Sequence, residues 1–159
     1  MIQLITMKSS VEAFQLQRLG KEDLVLFKSL IKLFRKVFEM GVDEKATDSY
    51  LQGLLEKPGF VVYIVRQGNI IAGGLTAYEL ELYYSEYAEL YIYDIAVSPE
   101  FQRKGLGRQL INALKEYSRT RNIKEIFVEA HQEDAHAVDF YQAVGGEAEK
   151  VVHFNFSIG

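Results

Sequence analysis

The chain contains no cysteine. That excludes disulfides, thiolate zinc sites and a cysteine nucleophile, and it suits a reducing compartment. No apolar run approaches about 18 residues, and Lys8 and Glu12 interrupt the N-terminal segment, so nothing reads as a spanning helix or a secretory signal. These absences predict a cytoplasmic protein with no membrane partner. Internal repeats and low-complexity linkers are missing too, and 159 residues fit one domain over 1–159. Basic residues are outnumbered, 18 against 22 acids, for a net charge of −4. That balance argues against nucleic acid as the partner and is compatible with cationic substrates. A local deficit is sharper: from Gln67 to Gln102 there is no lysine or arginine.

What is present reads as alternating elements. Residues 11–18 alternate loosely as a first strand. Leu24, Phe27, Ile31, Phe34 and Phe38 recur at helical spacing over 22–39. A second helix opens at Asp48, its expected cap, with Tyr50, Leu51, Leu54 and Leu55 facing inward, and Pro58-Gly59 ends it. Residues 60–65 and 70–82 form a hairpin about the turn Arg66-Gln67-Gly68-Asn69. Then come a strand at 88–97, a helix at 105–119 carrying Leu106, Leu110, Leu114 and Tyr117 on one face, and a strand at 124–130 ending near Glu129. A short helix at 134–143 stops before Gly145-Gly146, and 150–157 alternates as a last strand. The order β-α-α-β-β-β-α-β-α-β predicts a mixed α/β fold, mostly antiparallel, with helices on both faces of the sheet.

The chemistry centres on residues 102–107, QRKGLG, between a strand and a helix. A P-loop needs Lys and Ser/Thr after its second glycine, but Arg108-Gln109 follow Gly107. A dinucleotide fingerprint needs a third glycine where Leu110 stands. Two readings survive: a basic surface turn, or an anion cradle. In the second, the orphan amides of a helix start carry partial positive charge, Gly105 and Gly107 admit an anion closely, and Arg103, Lys104 and Arg108 surround it.

The wider segment Ile95-Ala96-Val97-Ser98-Pro99-Glu100-Phe101-Gln102-Arg103-Lys104-Gly105-Leu106-Gly107 resembles the acetyl-CoA signature of the GNAT superfamily of N-acetyltransferases. A second family signature, Tyr-x-x-x-Gly, is met by Tyr141 to Gly145. The resemblance implies acetyl-CoA as co-substrate and acetyl transfer to an amine. It implies that Ile95, Ala96 and Val97 pair with the pantetheine arm where this strand splays, often at a bulge. Pyrophosphate would lie on the segment Gln102, Arg103, Lys104, Gly105, Leu106, Gly107 and Arg108. A backbone N–H near Val97 would stabilise the oxyanion, and Tyr141 would protonate the leaving thiolate.

The amine must lose a proton before it attacks. Asp94 is the favoured base, since it interrupts an apolar strand one residue before the expected bulge and needs a partner there. Glu129 is the alternative. Asp48-Ser49-Tyr50-Leu51, Tyr91 to Ser98, Leu110-Ile111-Asn112 and Val152-His153-Phe154 further resemble the type I aminoglycoside 3-N-acetyltransferases, whose antibiotic-resistance activity and dimeric state the likeness carries with it as a homodimer expectation. Where that family has Gly-Asp-Asp-Pro, this chain has Glu133-Asp134-Ala135-His136.

The cation-free stretch supplies acids, among them Glu79, Glu89 and Asp94, and six of the ten tyrosines, a composition for a polycationic ligand or for a solvated acidic face. A pocket closed by residues 79–89 is expected, with Glu89, Glu133 and Asp134 as amine-binding acids and Asp134 equally able to cap the helix. His131 and His136 stand five apart with no third ligand, so no metal site is expected, and His153 is structural. Two other functions fit the same signatures: acetylation of a protein N-terminus or lysine, and a non-catalytic CoA-binding sensor.

Overall fold

Five strands form one sheet in the order β1-β2-β3-β4-β5. They are β1 Phe14–Arg18, β2 Phe60–Gln67, β3 Ile70–Glu81, β4 Ala88–Val97 and β5 Ile123–Val128. The helices are α1 Leu24–Val37, α2 Asp48–Leu55, α3 Leu106–Arg119 and α4 Ala135–Ala143. This computed structural model describes residues 12–41 and 45–159. Val11, where the first strand was expected to open, lies outside them. The first four strands run antiparallel to their neighbours, and β5 joins β4 in parallel through the α3 crossover. Two compact units divide the chain, Met1–Val128 and Glu129–Gly159. Among the described residues no helix is long and apolar enough to cross a membrane.

In the first unit, the two sheet faces bury different helices. Phe27, Leu30 and Phe34 of α1 and Leu51 and Leu55 of α2 pack with Phe60, Val62, Ile64 and Ala96. Strand alternation turns Val61, Leu75, Leu90 and Ile92, all buried, to the opposite face. There the stripe Leu106, Leu110, Leu114 and Tyr117 of α3 is buried, each such side chain contributing about 2 kcal/mol by leaving water. Gly74 lets α1 approach the sheet closely, and Gly73 lets β4 do so. A Cβ on Gly74 would lie 2.5 Å from Leu30 Cδ1 and 2.7 Å from the Tyr63 carbonyl oxygen; one on Gly73 would lie 2.8 Å from the Ala96 carbonyl oxygen.

Several sequence expectations need correction. Thr47, not Asp48, caps α2: its hydroxyl accepts from the Tyr50 amide at 3.2 Å, while Asp48 pairs with Lys28 at 2.8 Å. Tyr50 is 63% exposed rather than inward-facing, because the α2 stripe is set by Leu51 and Leu55. Strand β5 stops at Val128, so Glu129 lies one residue past it. Residues 150–157 form no strand. Their alternation is real, but no ladder partner pairs with them among the described residues, and Val152, Phe154 and Phe156 are exposed.

Candidate active site

Strand β4 changes phase in its middle. Ile92 pairs with Ala77 and Asp94 with Thr76, so Tyr93 is an extra residue with no partner on β3. This β-bulge lies one residue before Asp94, whereas the sequence reading placed it one residue after. The shift reverses which face each later residue meets. By plain alternation Asp94 would follow Leu90 and Ile92 into the core beneath α3. The bulge turns it instead to the α1 face, with Tyr91, Tyr78 and Thr76. Ala96 confirms the reversal, since it packs in the α1 and α2 cluster.

Asp94 is half-buried there, and burial pushes its carboxyl above the usual range. Among the described residues no cationic side chain pairs with it. Aromatic rings line its surroundings. Phe60 and Tyr78 lie 5.0 Å apart by ring centroid, Tyr78 and Tyr93 5.9 Å, Tyr93 and Tyr91 6.0 Å, and Tyr91 stacks on Phe127 at 5.0 Å. The Tyr78 hydroxyl titrates above its ordinary range, first through burial, then through the nearby Tyr50 and Tyr93 hydroxyls and the Asp94 carboxylate. Glu89 shares this face with Tyr91 by alternation.

Past the bulge, β4 outruns its other neighbour. The ladder to β5 ends at the pair Ile92 and Val128, while β4 continues to Val97. The Ser98 amide donates to the Ala72 carbonyl at 2.8 Å, on the β3 side. Alternation then turns the N–H groups of Val97 and Ile95 away from β3, and that of Ala96 toward it. Of the three residues expected to offer backbone to a pantetheine arm, Ile95 and Val97 present theirs on the β5 side and Ala96 does not. The Gln102 side chain donates from Nε2 to the Val97 carbonyl at 3.2 Å, tying the loop back to the strand end.

That loop leads to the start of α3. Gly105 is its N-cap, with φ 76° and ψ 12°, and no side chain caps the helix. Arg103 also has a left-handed φ of 60°. Left-handed residues spaced by one at the start of a helix are a backbone pattern from which an anion nest can be built. A Cβ on Gly105 would meet nothing within 4 Å, so that mouth is open. Leu106 sends its side chain into the core and offers only backbone. The Lys104 ammonium lies 5.8 Å from the Phe14 ring and 5.7 Å from the Phe101 ring, a cation–π seat beside the nest.

The second unit carries Glu129, Glu133, Asp134 and Tyr141. Asp134 caps α4, its carboxylate accepting from the Ala137 amide at 3.0 Å. Glu129 pairs with His153 at 3.2 Å. The His153 ring is held above the usual histidine range by its Asn155 contact and then by Glu129. Tyr141 stands in the last turn of α4. Gly145, at φ 95°, closes that helix, and the Gly146 amide donates to the Tyr141 carbonyl at 2.8 Å. The tyrosine-to-glycine spacing is thus also a helix stop signal.

The pocket expected from residues 79–89 exists, but not beside Asp94. A cavity of about 680 Å³ is lined by Glu79, Tyr83, Tyr84, Glu86, Tyr87 and Arg121, among others. It lies at the C-terminal end of α3, about 21 Å along the helix from Gly105. Its carboxylate Glu79 is committed to structure. Arg121 Nε donates to it at 3.1 Å, and the Tyr117 hydroxyl donates to it as well. Burial works against the Glu79 charge, but these bonds hold it below the usual carboxyl range; burial first, and then the bond to Glu79, push Tyr117 up to about 12. The sequence reading missed the Gly73-Gly74 pair opposite Val97 and Ala96. Adjacent glycines in an apolar strand are the signal that marks such a close approach.

Comparison with known proteins adds three findings. The profile of the Acetyltransferase (GNAT) family matches residues 27–145. An aminoglycoside acetyltransferase from an uncultured soil metagenomic sample, solved with trehalose and also with sisomicin, superposes with a TM-score of 0.89. In the trehalose complex it is 40% identical over 92% of this chain and 97% of its own. The ribosomal protein bS18 alanine N-acetyltransferase of Salmonella typhimurium is 37% identical over 57 residues, 36% of this chain. The match spans 38% of that relative's length.

Proposed function

The chain belongs to the GNAT acetyltransferase family, and from that premise we propose that it transfers acetyl from acetyl-CoA to a primary amine of a small polycationic molecule of the aminoglycoside type. The observation that carries this reading is the bulge at Tyr93, which turns an unpaired carboxylate away from the core beneath α3 and sets it near tyrosine rings at the open end of β4. The likeness to type I 3-N-acetyltransferases directs the reaction to the 3-amino group.

The steps assign each group one task. The pyrophosphate is held by the amides at the start of α3, with Arg103 and Lys104 supplying charge. The Ile95 and Val97 N–H groups serve the pantetheine amide and the thioester oxygen. Asp94, its proton affinity raised by burial, takes one proton from the substrate ammonium. The neutral nitrogen attacks the thioester carbon and the carbon–sulfur bond breaks. The thiolate then gains a proton, from Tyr141 by the family resemblance, and the cationic nitrogen gives its second proton to solvent, leaving the neutral amide.

A thiol-release assay with acetyl-CoA and sisomicin, spermidine or a peptide beginning with alanine tests the reading. Turnover of sisomicin or spermidine, with loss in Asp94→Asn, supports it. Turnover of the peptide alone, the activity suggested by the Salmonella relative, would replace it with N-terminal acetylation. CoA binding with no turnover of any amine would make the chain a sensor.

A further inference from the structure

Resting on that function, we propose that Tyr50 of α2, Tyr78 of β3 and Tyr93 of β4 form an aromatic box that binds the acceptor as an ammonium ion and delivers it, still protonated, to Asp94.

The box follows from what its rings touch and what they lack. Tyr78 and Tyr93 meet at 77° and Tyr93 and Tyr91 at 81°. In an edge-to-face contact the positive edge of one ring meets the negative face of the other, so each pair commits a single face and leaves its remaining faces open to a cation. Tyr93 is 62% exposed and Tyr50 63%, wide open for large aromatics beside a desolvated acid. The bulge explains the Tyr93 exposure, because an extra residue has no cross-strand neighbour to cover it.

Elsewhere the protein fills its ring faces with its own cations. Arg18 and Arg121 lie over Tyr117, Lys124 over Tyr87, and Lys104 beside Phe14 and Phe101. Among the described residues no such cation lies over Tyr50, Tyr78 or Tyr93, the Lys28 ammonium beside α2 pairs with Asp48 at 2.8 Å, and residues 67–102 contain no lysine or arginine. Tyr50, Tyr93 and the Asp94 carboxylate thus all lie near Tyr78, and among the described residues no cation pairs with that carboxylate or lies over those rings. A ligand ammonium satisfies both, and its N–H proton can pass directly to the Asp94 oxygen. Neutral amines would gain from neither group.

The test uses tetramethylammonium, which fills a cation box but has no proton to give. It should inhibit sisomicin acetylation competitively at saturating acetyl-CoA, beyond the effect of sodium chloride at equal ionic strength. Tyr93→Leu should raise the sisomicin KM between twofold and thirtyfold and weaken tetramethylammonium by the same factor, the loss falling on KM rather than kcat. Tyr93→Phe, which keeps the ring face, should restore both. The box is overturned if tetramethylammonium acts no better than sodium, or if the Leu and Phe variants are indistinguishable. Because the chain has no tryptophan, tyrosine emission reports binding directly. Should sisomicin not be acetylated while tetramethylammonium still quenches the native protein and not Tyr93→Leu, the acceptor assignment fails and the box stands.

Discussion

Gly105 permits a test in which geometry, charge and stability separate. Its φ of 76° lies in the left-handed region, yet a Cβ there would meet nothing within 4 Å. In Gly105→Ala the cost is therefore conformational, about 1–2 kcal/mol, with no clash to add. At the size of this chain that is a Tm drop of roughly 2–8 °C by differential scanning fluorimetry. Asparagine and aspartate tolerate the left-handed region better, so Gly105→Asn and Gly105→Asp should lose less stability than the alanine variant. Those two side chains have the same shape and differ in charge. An aspartate about 4 Å from a phosphate would cost between about 1 kcal/mol in water and about 4 kcal/mol at the effective dielectric of a protein surface. Calorimetric titration should accordingly find CoA bound roughly fivefold to a thousandfold more weakly by the Asp variant than by the Asn variant. The gap should narrow on raising the salt from about 0.01 M to 0.1 M, as the Debye length falls from about 30 to 10 Å. Equal CoA affinity in the two variants at low salt would refute the anion nest. An alanine variant as stable as the native chain would refute the backbone reasoning.

Further perturbations probe the remaining parts. Asp94→Asn should lower kcat/KM by about 10²–10⁴. Because burial raises its folded-state pKa, the native carboxylate costs stability once pH rises above that value, so at pH 7 the Asn variant should melt no lower than the native protein; a large joint loss of rate and Tm would make Asp94 structural. Glu79 titrates low in the folded state, so its contribution is present above the ordinary carboxyl pKa and vanishes as pH falls through the folded value. Glu79→Gln should cost about 2 kcal/mol near neutrality and little near pH 3, read from melts across pH. Gly74→Ala forces a methyl group against Leu30 and the Tyr63 carbonyl and should cost about 1–3 kcal/mol, measured by urea unfolding. Tyr141→Phe should lower turnover more than acetyl-CoA affinity; equal losses would assign the hydroxyl to binding.

Much of this frame was legible in the sequence, because periodicity and turn residues are local signals. The α1 and α3 stripes, the Gly68-Asn69 hairpin and the strand before QRKGLG all follow from them. The Gly105 helix start was legible for the same reason: only glycine adopts its backbone at little cost. The phase of β4 was not. A strand whose apolar residues continue past an extra one looks unbroken, and only the pairing of Asp94 with Thr76 shows the break. The stretch rich in acids and tyrosines was read as one surface, whereas the sheet divides it: Tyr78, Tyr91 and Tyr93 go with Asp94, and Tyr83, Tyr84 and Tyr87 go to the hairpin cavity. Alternation at 150–157 likewise describes a segment fit to be a strand, and a strand exists only where a neighbour supplies hydrogen bonds.

The Tyr93 bulge also bears on how this chain is compared and redesigned. In β4 the meaning of a position depends on how many residues precede it, so an ungapped alignment to a relative without the extra residue would match core positions to cleft positions from Asp94 onward. Removing Tyr93 would alter no charge and would leave Asp94 opposite Thr76 on the same face, taking away only the bulge and its exposed ring; straightening the strand with Tyr93 kept would instead send the carboxylate under α3. Strand length is thus itself a heritable variable of the site: a single codon decides whether the bulge and its exposed ring are present.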